Sequence, residues 1–310
     1  MPSMLRGAQM VKAANKRKVA HGDTSKIPRA SYQSATRVQP QPPTNHPVTD
    51  RSDGKRLSPR KVNLDCLDSS SEFIAAGTFG KCFLSKYLGF RVVTKEVASY
   101  ALAQAEAKIL ESLPDHRSLP YLFGITPPSK DPPLLVMKFH GEIGRPLTLH
   151  EVIHEGSPAI GRQNWKAVLA DIVSAVSTVH KSGYLHNDIK SNNILLEKTD
   201  DDQYKAVLID FGKSRTISAP KKYNLDANQR DHYRKTFKHI APELLKGHPQ
   251  SFQSDTFSLG MVFKLVASKV ECMKDLKELS KACTSTDPKR GHLCMKSESV
   301  FRLPNKLNVL

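Results

Sequence analysis

The sequence predicts an α+β fold in which a small lobe of antiparallel strands with one helix precedes a larger, mainly helical lobe. Three short segments bounded by glycines and rich in strand-forming residues come first, at 72–76, 81–87 and 90–97. Two long stretches with apolar residues at helical spacing come later, at 164–182 and 254–268. Strands and helices in separate runs are typical of α+β proteins, in which the two kinds of element occupy different parts of the domain.

A basic tail is predicted to precede the fold. Residues 1–62 contain thirteen lysines and arginines against three aspartates, which accounts for +10 of the formal net charge of +17. This stretch has no sustained apolar periodicity, so it cannot bury enough apolar surface to offset the entropy of ordering. We therefore expect residues 1–67 to form a disordered tail. Its basic clusters fit a nuclear import signal or a weak contact with nucleic acid or acidic partners, and equally a solvated linker.

Cysteine usage and the lack of long apolar runs indicate the compartment. The five cysteines form no Cys-x-x-Cys pair, so they predict neither a disulfide framework nor a zinc site. The N-terminus has no apolar signal core. No stretch approaches the roughly eighteen apolar residues of a membrane span. These features predict an intracellular protein with no membrane contact, in the cytoplasm, the nucleus or both.

The predicted helix of the small lobe, residues 99–113, carries one carboxylate on its apolar face. A buried carboxylate is costly unless it meets a cation, and Lys95 on the third strand is the obvious partner for Glu106. The alternative is that both are ordinary surface residues. The apolar residues expected on the same face are Leu102, Ile109, Leu110 and Leu113.

The turn at 75–80, between the first two strands, contains Gly77 and Gly80. Glycine lets backbone N–H groups approach a phosphate closely because no side chain stands in the way. Two glycines between strands more often make an ordinary hairpin. Lys95 follows Gly80 by fifteen residues, and its charge would bridge two phosphates if Glu106 orients it.

A second group of polar residues lies between His186 and Asp210. Asp188 is placed to accept or orient the proton of an attacking hydroxyl, and Lys190 to stabilise charge on a transferring phosphoryl group. Asn193 and Asp210 offer oxygen ligands of the kind that magnesium prefers. Each residue type is common alone, but the ordered set is rarely accidental. The pattern predicts phosphoryl transfer with magnesium.

Taken together, these motifs resemble those of the eukaryotic protein kinases, in a serine/threonine-like form. The resemblance implies a two-lobed kinase domain at 68–303, with lobes of about 68–139 and 140–303, and a short tail at 304–310. The segments that carry it are Ala75-x-Gly77-x-x-Gly80, Val92 to Lys95, Glu106, His186 to Asn193, Asp210-Phe211-Gly212 and Ala241-Pro242-Glu243.

The resemblance also implies ATP and Mg²⁺ as cofactors and a protein as substrate. It assigns catalytic roles to Asp188, Lys190, Lys95 and Glu106, and magnesium to Asn193 and Asp210. The residues it implies around the nucleotide are Ala75, Gly77, Gly80, Cys82, Lys95, the gatekeeper Met137, Phe139 and His140.

Two further interactions follow from the same likeness. Asp255 is expected to cap the catalytic loop from the start of the central helix. Arg290 is expected to pair with Glu243. Lys190 and Thr236 resemble the serine/threonine class, and tyrosine or dual specificity stays open.

Departures from the family pattern qualify these expectations. Ala75 replaces the first glycine of the loop, and Asn187 replaces the arginine that often receives a phosphorylated activation segment. Only 34 residues separate Asp255 from Arg290, so the helix that often docks substrates is expected to be short or missing. The activation segment, between Gly212 and Ala241, is basic. It is either receptive to acidic substrates or simply a solvated loop.

Two alternative functions remain open. A pseudokinase scaffold would keep the fold without transfer, but such proteins usually lose a residue equivalent to Lys95, Asp188 or Asp210. A small-molecule phosphotransferase has a similar loop, but usually lacks a segment ending in Ala-Pro-Glu. The sequence therefore favours a protein kinase over both.

Overall fold

The computed structural model describes most of the predicted domain and, of the predicted tails, only residues 58–67. No described helix is long and apolar enough to cross a membrane. The predicted roles of the N-terminal tail, the tail at 304–310 and the pairing of Arg290 lie outside the described residues. Those residues are 58–77, 80–141, 145–156 and 158–285.

The small lobe contains a five-stranded antiparallel sheet with the strand order β1-β2-β3-β5-β4. The first three strands were predicted within about two residues of their observed ends, because each is a short run between turn residues. The strands are β1 (Glu72–Gly77), β2 (Gly80–Tyr87), β3 (Phe90–Glu96), β4 (Leu122–Ile125) and β5 (Leu134–Lys138).

Helix α1 (Tyr100–Ser112) lies where a helix was predicted, and the Ser99 side chain caps its N-terminus. Its predicted buried face was wrong in one respect, since Leu102 is 54% exposed. The buried residues are Ala103, Glu106, Ala107 and Leu110, of which Glu106 and Leu110 were expected. The two small alanines let the helix approach the sheet, and Glu106 contacts Lys95 of β3.

Residues 58–67 were assigned to the tail, and this boundary was wrong. Val62 is buried, and its backbone N–H donates to the carbonyl of Ile125 at the edge of the sheet. The Arg60 carbonyl accepts from the N–H of Ile125, so the segment pairs with β4. A short 3-10 helix, Leu64–Cys66, then leads into the first strand. Residues 58–67 accordingly belong to the same compact unit as the sheet.

The large lobe is mainly helical, as predicted. Helices α3 and α6 supply much of its core, with Leu169, Ile172 and Phe263 fully buried. The helices are α2 (Leu149–Glu155), α3 (Arg162–Lys181), α4 (Ala227–Thr236), α5 (Pro242–Leu245), α6 (Phe252–Lys269) and α7 (Leu276–Cys283).

Two small antiparallel sheets frame the chemistry-bearing loop of this lobe. One pairs β7 (Ile194–Lys198) with β8 (Tyr204–Leu208), and the other pairs β6 (Tyr184–Leu185) with β9 (Arg215–Thr216). The segment from 186 to 193 runs between β6 and β7, so both of its ends are fixed by strand pairing.

One cysteine departs from expectation. Cys283 is disulfide-bonded, although the scattered cysteines predicted no disulfide. Cys66, Cys82 and Cys272 are free thiols.

Candidate active site

A cavity of about 890 Å³ lies between the sheet of the small lobe and the helices of the large lobe. It brings together almost every residue that the sequence analysis assigned to the site. The assigned residues that line it are Ala75, Gly77, Gly80, Cys82, Lys95, Glu106, Met137, His140, Asp188, Lys190, Asn193 and Asp210.

Phe139 is the exception among the assigned residues. It is buried, and the guanidinium of Arg91 lies over its ring at 5.4 Å from the centroid. The Phe139 side chain therefore packs against Arg91 of β3 and is not part of the cavity lining.

Lys95 lies on β3, opposite Cys82 of β2 and Leu135 of β5. Its Nζ donates to both carboxylate oxygens of Glu106, at 2.8 and 2.9 Å, and to Oδ1 of Asp210 at 2.8 Å. Burial lowers the pKa of the Lys95 ammonium, but the two carboxylates outweigh burial and raise it. The predicted contact between Lys95 and Glu106 is therefore present, and it places a stable positive charge at the cavity wall.

Glu106 is 5% exposed, so its charge depends on this contact. Burial raises the pKa of its carboxyl, and the charge and hydrogen bonds of Lys95 oppose the rise. An unpaired carboxylate at this depth would be costly. The helix α1 is thus held against β3 by a charged contact as well as by its alanines.

The loop from His186 to Asn193 is anchored by Asp255 from the first turn of α6. One oxygen of Asp255 accepts the backbone N–H of His186 and the other accepts that of Asn187, each at 2.8 Å. His180 of α3 lies 3.0 Å from the same carboxylate. Asp255 is 1% exposed. The cap that the resemblance implied is therefore formed, and it ties the loop to two core helices.

Asp188 is 1% exposed and is surrounded by donors. Lys190 lies 2.9 Å from one carboxylate oxygen and Lys213 2.8 Å from the other. Asn193 donates to the oxygen shared with Lys190 at 3.0 Å, and His239 lies 3.5 Å from the other. Burial raises the pKa of the Asp188 carboxyl, but these partners outweigh burial and hold it well below its ordinary range. Asp188 is therefore ionised at neutral pH.

Two of these partners, Lys213 and His239, were missed by the sequence analysis. Lys213 directly follows Gly212, and His239 lies two residues before Ala241. Their positions beside recognised motifs were a usable signal. Their contact with Asp188 depends on the path of the intervening chain, which no local pattern specifies.

Asn193 and Asp210 lie at the ends of paired strands. The backbone N–H of Ile209 donates to the carbonyl of Asn193 at 2.9 Å, so the two candidate magnesium ligands share one hairpin. Asn193 turns its amide nitrogen toward Asp188, which leaves its side-chain oxygen available. One carboxylate oxygen of Asp210 accepts a hydrogen bond from Lys95, and the Asp210 backbone adopts a left-handed φ of 68°.

Two hard oxygen donors suit a magnesium ion that takes its other ligands from phosphate and water. Among the described residues, no group of three or more histidines, cysteines, aspartates or glutamates could hold a metal by itself. The donor set therefore fits a metal that arrives with a phosphate compound better than a resident structural ion.

A model of the family described as "Protein kinase domain" matches residues 70–303. The chain belongs to the protein kinase family. The kinase fold expected from the sequence, with its strand-rich and helical lobes, is thereby confirmed.

Several curated relatives of this kinase are serine/threonine kinases by name. It is 24% identical over 252 residues to a probable LIM domain-containing serine/threonine-protein kinase of Dictyostelium discoideum, which covers 71% of this chain and 36% of that protein. It is 30% identical over 213 residues to the proto-oncogene serine/threonine-protein kinase mos of Sus scrofa, covering 61% and 57%. The mos kinase of Patiria pectinifera is 26% identical over 198 residues, covering 61% and 53%. The matched part is thus less than two thirds of each relative.

The glycines of the kinase's β1–β2 turn differ in what requires them. At Gly80, with φ +138°, an added Cβ would lie 1.7 Å from the carbonyl oxygen of Glu96, so backbone packing alone demands glycine. At Gly77 an added Cβ would meet nothing within 4 Å. Packing against the described residues therefore does not require a glycine at Gly77, which borders the cavity.

Asn187 stands where many kinases have an arginine. Its side-chain amide donates to the carbonyl of Lys213 at 3.2 Å. The backbone of Asn187 adopts a left-handed φ of 65°. The side chain thus joins the catalytic loop to the backbone that follows Gly212. It reaches no hydroxyl of the exposed helix α4.

Proposed function

We propose that this chain is an ATP-dependent protein kinase that transfers the γ-phosphate of Mg-ATP to serine or threonine hydroxyls of proteins. The observation that carries the proposal is the three-way contact of Lys95 with Glu106 and Asp210 in a cavity that also holds Asp188. Pseudokinases usually lose one of these charged groups, and all of them are retained here.

Bound Mg-ATP supplies the phosphoryl group, and the metal offsets the charge of its phosphates. Lys95 binds phosphate oxygens from the wall of β3, with Glu106 holding its ammonium in place. Asn193 and Asp210 are the candidate metal ligands, because each presents a side-chain oxygen to the cavity.

Ionised Asp188 orients the attacking hydroxyl and accepts its proton. Lys190, hydrogen-bonded to Asp188, lies ready to stabilise the charge that develops on the transferring group. Most of the rate enhancement in this scheme comes from positioning and electrostatic stabilisation, since the protein forms no covalent bond to phosphate.

Three features support serine/threonine specificity and a protein substrate. The named relatives are serine/threonine kinases. Lys190 is the residue of that class, and Thr236 lines the cavity near Asp188. The segment that ends in Ala241-Pro242-Glu243 is folded onto the large lobe, with Ala241 fully buried.

The test is magnesium-dependent transfer of labelled γ-phosphate to a basic and an acidic protein, with phosphoamino-acid analysis of the product. The purified chain is compared with its Asp188→Asn and Asp210→Asn variants. We expect transfer to serine or threonine that both substitutions abolish. ATP binding is followed separately, by the thermal shift that Mg-ATP produces.

Each alternative predicts a different result. A thermal shift with Mg-ATP but no transfer to any protein would favour a scaffold. Transfer to a small hydroxyl compound and not to protein would favour a small-molecule phosphotransferase.

We further propose a cytoplasmic or nuclear location, with the basic tail as a weak contact for nucleic acid or acidic partners. Fluorescence imaging of the tagged chain, with Lys16, Arg17 and Lys18 changed to alanine as a control, tests the location.

A further inference from the structure

A second cavity, of about 580 Å³, opens beside the first between the activation segment, α5 and α6. Its floor is apolar and its rim is basic. The floor is formed by Phe237, Ile240, Pro242, Leu245, Phe257 and Met261, and the rim by Arg230, Arg234, Lys238 and Lys246.

The rim carries four positive charges, and no aspartate or glutamate lines this cavity among the residues that the structure describes. Arg234 has Asp231 at 4.0 Å, but that carboxylate is held more closely by Lys235, at 2.7 Å. Arg230, Lys238 and Lys246 form no ion pair within the described ranges. Clustered charges of one sign above a low-dielectric floor attract a ligand of opposite charge.

The two cavities share part of their walls. Phe237, Lys238 and Met261 line both. The next residue along the chain, His239, lies 3.5 Å from a carboxylate oxygen of Asp188. An extended peptide advances about 3.3 Å per residue. The residues next to a hydroxyl held at Asp188 are therefore within reach of this shared wall.

Little chain lies between α6 and α7, near the second cavity's α6 wall. Helix α6 ends at Lys269, and α7 begins at Leu276 after a single 3-10 turn. Helix α7 packs closely on α6, where Ser280 Oγ donates to the Gly260 carbonyl at 3.0 Å and an added Cβ on Gly260 would lie 2.6 Å from Cys283. Within the described residues, α7 thus packs directly on α6 after a short connection.

The chain's own undescribed segments do not complement this rim. Residues 1–57 contain eleven lysines and arginines against three aspartates, and residues 286–310 contain five against two acidic residues. Both segments are net basic, like the rim itself. Charge complementarity thus favours an occupant from another molecule.

We infer that the second cavity is the docking site for an acidic segment of the protein substrate, adjoining the hydroxyl that is phosphorylated. One apolar side chain of that segment packs on the floor, and its carboxylates pair with the rim. This inference rests on the proposed function, because it names the substrate class of the same site.

The experiment compares three peptides that differ only beside a single serine. One carries a leucine with glutamates, one carries the leucine with glutamines, and one carries an asparagine with the glutamates. We expect kcat/KM to be at least about tenfold higher for the leucine–glutamate peptide than for either of the others. The charge-dependent part of this preference should fall with added salt, because the pairs are exposed.

The variant Arg230→Gln/Arg234→Gln/Lys246→Gln removes three rim charges that line the second cavity alone. It should reduce the preference for glutamate over glutamine to less than about twofold. The matched control Lys108→Gln/Lys264→Gln/Lys277→Gln removes the same charge from exposed sites elsewhere and should keep the preference. Circular dichroism checks that both variants are folded.

Failure of the inference can be separated from failure of the proposed function. Equal transfer to the glutamate and glutamine peptides would overturn the docking site and leave the kinase intact. Transfer to none of the peptides or proteins would overturn the proposed function, and fluorescence anisotropy of the labelled peptides would then decide the docking site alone. Affinity for single-stranded RNA or anionic vesicles equal to that for the leucine–glutamate peptide would also overturn the docking site, since the cavity would then bind any polyanion.

Discussion

The catalytic loop and the activation segment meet at Asp188, yet one is buried and the other is exposed. In the loop, His186 and Asp188 are at most 1% exposed, and Asp255 ties the backbone to α6. In the activation segment, helix α4 buries none of its side chains. The contrast indicates that folding fixes the groups that handle phosphate, whereas the groups that choose a substrate remain on the surface.

The largest expected effect is the loss of activity in the variant Asp188→Asn. The loop keeps its backbone anchors, but the hydroxyl loses its proton acceptor, so we expect kcat to fall by about 10²–10⁴-fold. The matched change in the activation segment, Asp226→Asn, preserves the N-cap of α4 and should change kcat by less than about twofold. Steady-state kinetics measures both. Comparable losses in the two variants would contradict the contrast.

A second test measures how strongly each region is tied to the core. Asp255→Ala leaves two buried N–H groups, those of His186 and Asn187, without acceptors, and we expect it to destabilise the fold by about 2–5 kcal/mol. Asp226→Ala removes only the exposed cap of α4, at a cost of about 1 kcal/mol. Urea denaturation gives both values. A loss in Asp255→Ala no larger than that in Asp226→Ala would show that the anchor is unimportant.

A smaller effect is expected where Glu197 of β7 contacts the buried His140. Nδ1 of His140 lies 2.6 Å from Glu197, and Lys205 lies 3.4 Å from the same oxygen. Burial raises the pKa of the Glu197 carboxyl, but these partners outweigh burial and lower it to about 2. Because the pKa is depressed by folding, Glu197 stabilises the protein fully above its unfolded pKa, and this contribution is lost as pH falls through about 2.

The change Glu197→Gln should therefore cost on the order of 1–3 kcal/mol at pH 7, after allowance for the partial exposure of this side chain. At pH 3 the difference from the unchanged chain should be clearly smaller. Urea unfolding at both pH values measures it. A difference independent of pH would mean that packing, and not charge, accounts for the effect.

The smallest expected effect is that of removing phosphate from the activation segment. Asn187 contacts the backbone of Lys213 and supplies no cation for a phosphorylated residue of the activation segment. We expect complete dephosphorylation of the purified chain to change kcat by less than about twofold, since the loop is held by Asp255 instead. Mass spectrometry verifies the removal of phosphate. Loss of most turnover would show that the segment is regulated after all.

The sequence predicted the buried machinery far better than the surface around it. Strands, long helices and the spacing of Asp188, Asn193 and Asp210 are local patterns, and they sufficed for the fold and for grouping the charged residues around one cavity. The phase of α1 was misjudged because large apolar side chains were weighted above alanines. In the structure the Glu106 contact with Lys95 and the close approach of Ala103 and Ala107 set that phase.

Other features depended on partners distant in the chain. Residues 58–67 lack an apolar pattern, yet backbone pairing with Ile125 buries Val62. The contacts of Lys213 and His239 with Asp188 arise from the path of the activation segment. No periodicity or motif in a single sequence encodes such approaches.

The Asp255 anchor has a consequence for motion as well as for geometry. The amide hydrogens of His186 and Asn187 both end on a carboxylate that is itself buried in α6. Their exchange with solvent deuterium requires that this helix open, so they should be as slow as the amides of the core. The chain thus carries, in two loop amides, a native probe of whether its catalytic geometry persists until the whole large lobe unfolds.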